Sequence, residues 1–375
     1  IMEECMGGEF FNRLAKRAKD KKMYTEKEAA KIFKQLLEAV NYLHAHGVCH
    51  RDIKPENILF STIEEDAPIK IIDFGFSKVS IKEDTIMTEQ AGTLFYMAPE
   101  VIKGKYNEKC DVWSCGVILY IMLTGVPPFY GKNEKELMEK ISSMKYNQDH
   151  QNLKRVSNDA KELLKSIFVE QNKRPTISQV LSTKWIQELA PNSTEAALNI
   201  DWGHILQYTK LNLVQKCVIS FTSFRLSDRE TEEFVQMFKS LDKNSDGVLT
   251  IEELREGAEN CSLFQNKISL DDLIEMFHEI DLDQNGLINF TEFISALINY
   301  KNILKKERLI DCFRNYDVDG NGNISFDAFM AMIKPQNEKE VEQIKDLFNK
   351  FDANNDGSID FEEFVNGVMD ENFKL

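Results

Sequence analysis

The sequence predicts a mainly α-helical fold in more than one domain. Three observations carry that prediction. Apolar residues recur at helical spacing through most of the chain, with only short β signals between them. Charge divides the 375 residues unequally: 1–190 hold 28 Lys+Arg against 27 Asp+Glu, 191–230 hold four of each, and 231–375 keep a net −17. An aspartate-rich pattern also recurs four times, its first aspartate at 242, 281, 317 and 352. Intervals of 39, 36 and 35 residues suit one helix–loop–helix unit per repeat.

The elements follow in order. Residues 25–45 place Ala29, Ile32, Phe33, Leu36, Val40 and Leu43 on one face of a helix. Thr25, with Glu28 three residues on, predicts a capping box at its start. Two short strands are expected at Ile58-Leu59-Phe60 and Ile69-Lys70-Ile71-Ile72, on either side of the polar turn 61–68. Residues 111–123 are almost wholly apolar and predict a buried helix stopped by Gly125, with Pro127-Pro128 beyond. Pro191-Asn192-Ser193-Thr194 is a loop signal that opens a junction. Leu206, Leu211, Leu213, Val214, Val218, Ile219 and Phe221 then predict a greasy helical segment over 205–224. The expected domains are 1–190, a junction 191–230, and two repeat pairs, 231–300 and 301–375.

Composition excludes several classes. A hydrophobic fraction of 42% is ordinary for globular protein, and no apolar run approaches a membrane span. Residues 1–30 show no signal-peptide pattern, so a cytoplasmic protein is expected, with membrane anchoring left open to any segment upstream of Ile1. The seven cysteines form no C-x-x-C pair and read as reduced thiols. The −17 balance argues against a nucleic-acid partner. Helically spaced phenylalanines and aliphatics in the same region argue against disorder.

The sharpest chemical signal is His50-Arg51-Asp52-Ile53-Lys54-Pro55-Glu56-Asn57, followed by Asp73-Phe74-Gly75 and Ala98-Pro99-Glu100. These islands, in this order, resemble the catalytic core of eukaryotic protein kinases. The resemblance implies a kinase hinge and C-terminal lobe over 1–190, with ATP and Mg²⁺ as cofactors and proteins as substrates. Asp52 would orient the substrate hydroxyl and accept its proton, and Lys54 would touch the transferred phosphate. Asn57 and Asp73 would hold Mg²⁺, which favours hard oxygen donors. Lys54 and Gly92-Thr93 resemble the serine/threonine branch and put Thr93 near Asp52. Arg174 would pair with Glu100, and Asp111 would brace the catalytic loop.

Residues 2–10 resemble the hinge between kinase lobes. Met2 would be the gatekeeper, the Glu3 carbonyl and Cys5 backbone would meet adenine, Leu59 would lie beneath it, and Glu9 would face the ribose or a basic substrate residue. Arg51 implies an anionic partner on the activation segment, which offers Glu83, Asp84, Glu89, Thr85 and Thr88. No G-x-G-x-x-G followed by V-A-x-K occurs in the 375 residues, so appreciable kinase activity is not expected of them alone.

The acidic repeat resembles the EF-hand, with ligands at loop positions 1, 3, 5, 7, 9 and 12 and glycine at 6. The first loop offers Asp242, Asn244, Asp246, the Val248 carbonyl, Thr250 and Glu253 around Gly247. The second offers Asp281, Asp283, Asn285, the Leu287 carbonyl, Asn289 and Glu292 around Gly286. The fourth offers Asp352, Asn354, Asp356, Ser358, Asp360 and Glu363 around Gly357. The third has Asp317, Asp319, Asn321, Asn323, Ser325 and Gly322, but Ala328 at position 12. It is expected to hold calcium weakly or not at all, leaving three strong Ca²⁺ sites. Leu249, Ile288, Ile324 and Ile359 at position 8 should pair across short strands, first loop with second and third with fourth.

The whole arrangement resembles the calcium-dependent protein kinases of plants and apicomplexan parasites. That resemblance implies an autoinhibitory junction helix as intramolecular target of two EF-hand lobes, and relief of inhibition by calcium. A non-catalytic calcium-responsive scaffold is the rival reading, which the intact Asp52, Asn57 and Asp73 disfavour. A kinase carrying a visinin-like domain would have three EF-hands rather than four.

Overall fold

The computed structural model describes residues 5–79, 86–89, 92–191, 202–259, 270–299, 306–333 and 338–369. They form two compact units, one of residues within 1–192 together with 244–247, the other of residues within 193–243 and 248–375. Helices dominate both. No helix among the described residues is long and apolar enough to cross a membrane.

The first unit is organised around Lys109–Thr124, whose residues are buried nearly all round. Gly125, at φ +81°, ends this helix in the left-handed conformation that costs glycine least. Glu26–Ala45 packs against it and against the short helices Ile177–Leu181 and Lys184–Leu189. The expected capping box is present: the Glu28 N–H donates to Thr25 Oγ1 at 3.3 Å and the Thr25 N–H to Glu28 Oε2 at 2.7 Å. Strands Ile58–Phe60 and Ile69–Ile71 pair antiparallel, with Ile58 opposite Ile71 and Phe60 opposite Ile69. Val48–Cys49 pairs with Lys78–Val79. These two hairpin-like pairs carry the catalytic-loop sequence between them.

The hinge-like run lies along the first of these strands. The Met6 N–H donates to the Ser61 carbonyl at 3.1 Å, Gly7 to Phe60 at 2.9 Å, and Phe60 back to Gly8 at 3.0 Å. A Cβ at Gly7 would sit 2.0 Å from the Thr62 carbonyl oxygen, so this close approach needs glycine.

In the second unit, strand Val248–Leu249 pairs with Ile288–Asn289, and Asn323–Ser325 pairs with Ser358–Asp360. Leu249 faces Ile288 and Ile324 faces Ile359, all four fully buried, as the position-8 pattern predicts. The junction departs from expectation in one respect. It is two helices, Trp202–Tyr208 and Leu213–Ser223, not one. Asn212 starts the second: its side chain accepts the Gln215 N–H at 2.9 Å, and the Gln215 side chain caps the Asn212 N–H at 3.1 Å. Leu213–Ser223 packs against Phe290–Leu297 of the first EF-hand pair and against Lys306–Tyr316, Phe326–Ile333 and Phe361–Met369 of the second.

Candidate functional site

Asp52 is 3% exposed and is the focus of the first unit's polar groups. Its Oδ1 accepts from the Thr93 N–H at 2.9 Å and the Thr93 hydroxyl at 3.0 Å. Its Oδ2 accepts from Lys54 Nζ at 2.5 Å and Asn57 Nδ2 at 3.2 Å. Lys54 also donates to Thr93 Oγ1 at 3.0 Å. A carboxylate is acceptor-only, and these four donors fix its plane. Gly92, at φ +103°, makes this closure geometrically allowed: a Cβ there would meet the Arg51 carbonyl oxygen at 2.5 Å.

The loop is braced from below by Asp111, which is fully buried. Its Oδ2 accepts from the His50 N–H and its Oδ1 from the Arg51 N–H, each at 2.9 Å. Burial opposes its charge most strongly, but hydrogen bonding and charge from His44, with the two backbone donors, hold its carboxyl below the usual range. Arg174 pairs with Glu100, as the sequence predicts.

The other carboxylate of these motifs is Asp73. It is exposed, left-handed at φ +65°, and accepts the Gly75 N–H at 3.2 Å. Asn57 is buried and also donates to the Asp52 carbonyl at 2.9 Å. Asp73 and Asn57 both carry hard oxygen donors of the type Mg²⁺ takes. Leu59 is half-buried and bridges antiparallel to Glu9, which is exposed; Cys5 is half-buried. Glu3, with Met2, lies outside the described residues, as do Glu83, Asp84 and Thr85.

Of the candidate activation-segment anions, Glu89 reaches Arg51, with Oε2 3.0 Å from Nη1. Arg51, then Lys78, holds the Glu89 carboxyl below its usual range. Tyr106 completes the arrangement, its hydroxyl donating to the Glu89 carbonyl at 2.6 Å and accepting from Arg51 at 3.3 Å. No local sequence signal marks Tyr106, because the contact spans 17 residues of chain.

The four calcium-type loops share one backbone. Position 4 has positive φ in each (Ser245, Gln284, Gly320, Asn355), and so does the glycine at position 6. Asp281 Oδ2 accepts the Gly286 N–H at 2.8 Å and Oδ1 the Asn285 N–H at 3.1 Å. Asp352 does the same with Gly357 at 2.9 Å and Asp356 at 3.1 Å. In the first loop the Asp246 N–H donates to Asn244 Oδ1 at 3.0 Å, and Val248 sits opposite Asn289. The Leu287 N–H donates to Asn285 Oδ1 at 2.8 Å, and the Ser358 N–H to Asp356 Oδ1 at 2.9 Å. The Asn354 amide donates to Asp356 Oδ2 at 3.0 Å.

Position 12 separates the third loop from the others. Glu253 accepts the Lys243 and Thr250 N–H groups at 3.1 and 2.9 Å. Glu292 accepts those of Leu282 and Asn289, both at 2.9 Å. Glu363 accepts those of Asn354 and Asp360 at 3.1 and 2.9 Å. The glutamate thus staples both ends of its loop, and Ala328 offers no such group. Asp317 is only half-buried, whereas Asp242, Asp281 and Asp352 are buried.

In the second loop the Asp281, Asp283 and Glu292 oxygens lie within 4.8 Å of one another. Burial pushes Glu292 up to about 7, the charges of Asp283 and Asp281 adding to it and the Asn289 N–H opposing it. Such crowding of carboxylates fits a divalent cation taking oxygen ligands.

Comparison with known proteins agrees with both halves. A protein kinase domain model matches residues 1–186, and an EF-hand domain pair model matches 231–298 and 306–369. Calcium-dependent protein kinase 4 of Plasmodium falciparum is 37% identical over 322 residues, covering 82% of this chain and 60% of that protein. Calcium-dependent protein kinase 5 of the same organism is 34% identical over 304 residues, 80% of this chain and 52% of that protein. Calcium-dependent protein kinase 21 of Oryza sativa is 35% identical over 313 residues, 82% of this chain and 53% of that protein. The chain therefore spans between 52% and 60% of the length of these relatives. A protein kinase domain followed by two EF-hand pairs, aligned in one stretch with these enzymes, makes the chain a member of the calcium-dependent protein kinase family.

Proposed function

We propose that these residues are the catalytic-loop and regulatory part of a calcium-switched serine/threonine kinase acting on protein substrates. The observation that carries the reading is the convergence of Lys54, Thr93 and Asn57 on Asp52. Bound Mg²⁺-ATP supplies the transferable phosphoryl group. Asp52 holds the acceptor hydroxyl and takes its proton, Lys54 neutralises charge beside it, and Thr93 keeps the carboxylate oriented. Asn57 and Asp73 are the metal-holding pair. Cys5, Leu59 and Glu9, with Glu3, form the nucleotide edge.

The proposed organisation is kinase hinge and C-terminal lobe over 1–190, junction over 191–230, and EF-hand lobes over 231–300 and 301–375. Leu213–Ser223 is the internal target of both lobes, a reading supported by its packing against helices of each pair. Its Lys216 is 4% exposed and ion-pairs with Glu279, two residues before the first ligand of the second loop. Calcium shifts the arrangement to the extent that it binds the active one more tightly.

The test is γ-phosphate transfer to a serine peptide with calcium or chelator. Residues 1–375 alone, which hold no glycine-rich loop and V-A-x-K pair, are expected at background. A chimera supplying that lobe from a relative is expected to turn over in a calcium-dependent way. Calcium-independent turnover would discard the switch, and no turnover in either would discard the kinase reading.

Calcium stoichiometry is a separate prediction. Calorimetric titration of 1–375 is expected to show about three tight sites, Glu363→Gln removing one by at least about tenfold in affinity. Ala328→Glu is expected to add a fourth. Four tight sites in the unmodified chain would overturn the assignment of the third loop.

A further inference from the structure

Four side chains of metal-ligating type meet directly beneath the catalytic loop. His44 Nε2 lies 2.9 Å from Asp111 Oδ2. Cys49 Sγ lies 3.4 Å from the same oxygen and 3.6 Å from Cys110 Sγ. Cys110 Sγ is 3.9 Å from Asp111 Oδ1. The donors of His44, Cys49 and Asp111 all fall within 4.8 Å of one another. Cys49, Cys110 and Asp111 are buried, while the His44 side chain keeps 12% of its surface exposed and gives the cluster an edge toward solvent.

These separations are close to the edges of a zinc coordination tetrahedron. Zn–S bonds of about 2.3 Å and Zn–N or Zn–O bonds of about 2.0–2.2 Å imply edges of about 3.6 Å for S···O and 3.4 Å for N···O. The Cys49–Asp111 distance agrees within a few tenths of an ångström, and the His44–Asp111 pair would open by about 0.5 Å. Thiolate, imidazole and carboxylate together are a donor set that selects zinc over calcium or magnesium.

Charge and proton count agree as well. The His44 Nε2–H and Cys49 Sγ–H both point at Asp111 Oδ2. A cation set among the three would stand in place of those two protons. The His50 N–H shares Oδ2 and the Arg51 N–H takes Oδ1; with two lone pairs on each oxygen, one cation on Oδ2 leaves both backbone bonds in place. Zn²⁺ with one carboxylate and one thiolate is neutral, so burial of the filled site leaves no unpaired charge.

We propose that His44, Cys49 and Asp111 form a three-ligand zinc site at the base of the catalytic loop. Binding releases the Cys49 thiol proton to solvent, the His44 proton moves to Nδ1, and no electron is transferred. Because the backbone of His50 and Arg51 is bonded to Asp111, occupancy bears directly on the placement of Asp52.

The test uses Co²⁺ as spectroscopic probe on the reduced, calcium-saturated chain 1–375. One equivalent is expected to produce a thiolate-to-cobalt charge-transfer band in the near ultraviolet, bleached by equimolar Zn²⁺. EF-hand oxygens give no such band. Cys49→Ser is expected to abolish it, and Cys217→Ser, on the junction helix, to leave it unchanged. His44→Gln keeps an N–H donor toward Asp111, so the fold is retained, and is expected to weaken Zn²⁺ by at least about tenfold. Absence of the band in the unmodified chain, its survival in Cys49→Ser, or unchanged affinity in His44→Gln would each overturn the proposal.

Discussion

Asp52→Asn is expected to lower phosphoryl transfer by about 10²–10⁴-fold, the range of a positioned general base. The geometry makes the substitution worse than loss of a proton acceptor. Oδ1 takes two donors from Thr93, and Oδ2 takes Lys54 and Asn57. An amide has one oxygen, so its NH₂ would face either the Thr93 pair or the Lys54–Asn57 pair, donor against donor. Loss of position and loss of proton acceptance therefore arrive together. The measurement is kcat for the calcium-activated chimera, with calcium titration as control. A residual rate within threefold of the parent would remove Asp52 from the reaction. Thr93→Ala separates the two effects: it keeps the acceptor and the backbone donor but loses the hydroxyl bond, and a smaller fall is expected.

Much of this site was legible because its parts are local. The catalytic loop holds Asp52, Lys54 and Asn57 within six residues, and each calcium loop holds its ligands within twelve. The capping box at Thr25 and Glu28 is equally local. What escaped reading depends on chain segments meeting. Glu89 was one of five candidate partners for Arg51 until Tyr106 and Arg51 were seen to hold it. The break between Trp202–Tyr208 and Leu213–Ser223 had a local signal, Asn212 with Gln215 three residues on, masked by the apolar run on either side. Lys216 has the pattern of a solvated cation, yet Glu279 and the Tyr208 ring, 5.4 Å away, receive it in a buried place.

Arg174→Ala is expected to destabilise the first unit by about 3–5 kcal/mol, the cost of breaking a buried ion pair from one side. Arg174 is 1% exposed, and its five N–H donors all have acceptors. Nε reaches the Ile167 carbonyl at 3.0 Å, Nη1 the Lys109 carbonyl at 2.8 Å and Nη2 the Val169 carbonyl at 2.9 Å. The remaining two go to the Glu100 carboxylate, and the guanidinium lies 5.0 Å from the Trp113 ring. Alanine would strand the Glu100 charge and three carbonyls at once, in a place water reaches poorly. At about 2–4 °C per kcal/mol for a domain of this size, the kinase-like transition should fall by roughly 6–20 °C. In calcium the EF-hand transition should stay where it is, which distinguishes a local loss from general misfolding. Arg174→Lys should recover only part, because an ammonium has three donors and no planar fork to match the carboxylate. A fall under about 1 kcal/mol for the alanine variant would mean that Glu100 finds water or another cation, and that the pair orients the Ala98-Pro99-Glu100 segment without holding the unit together.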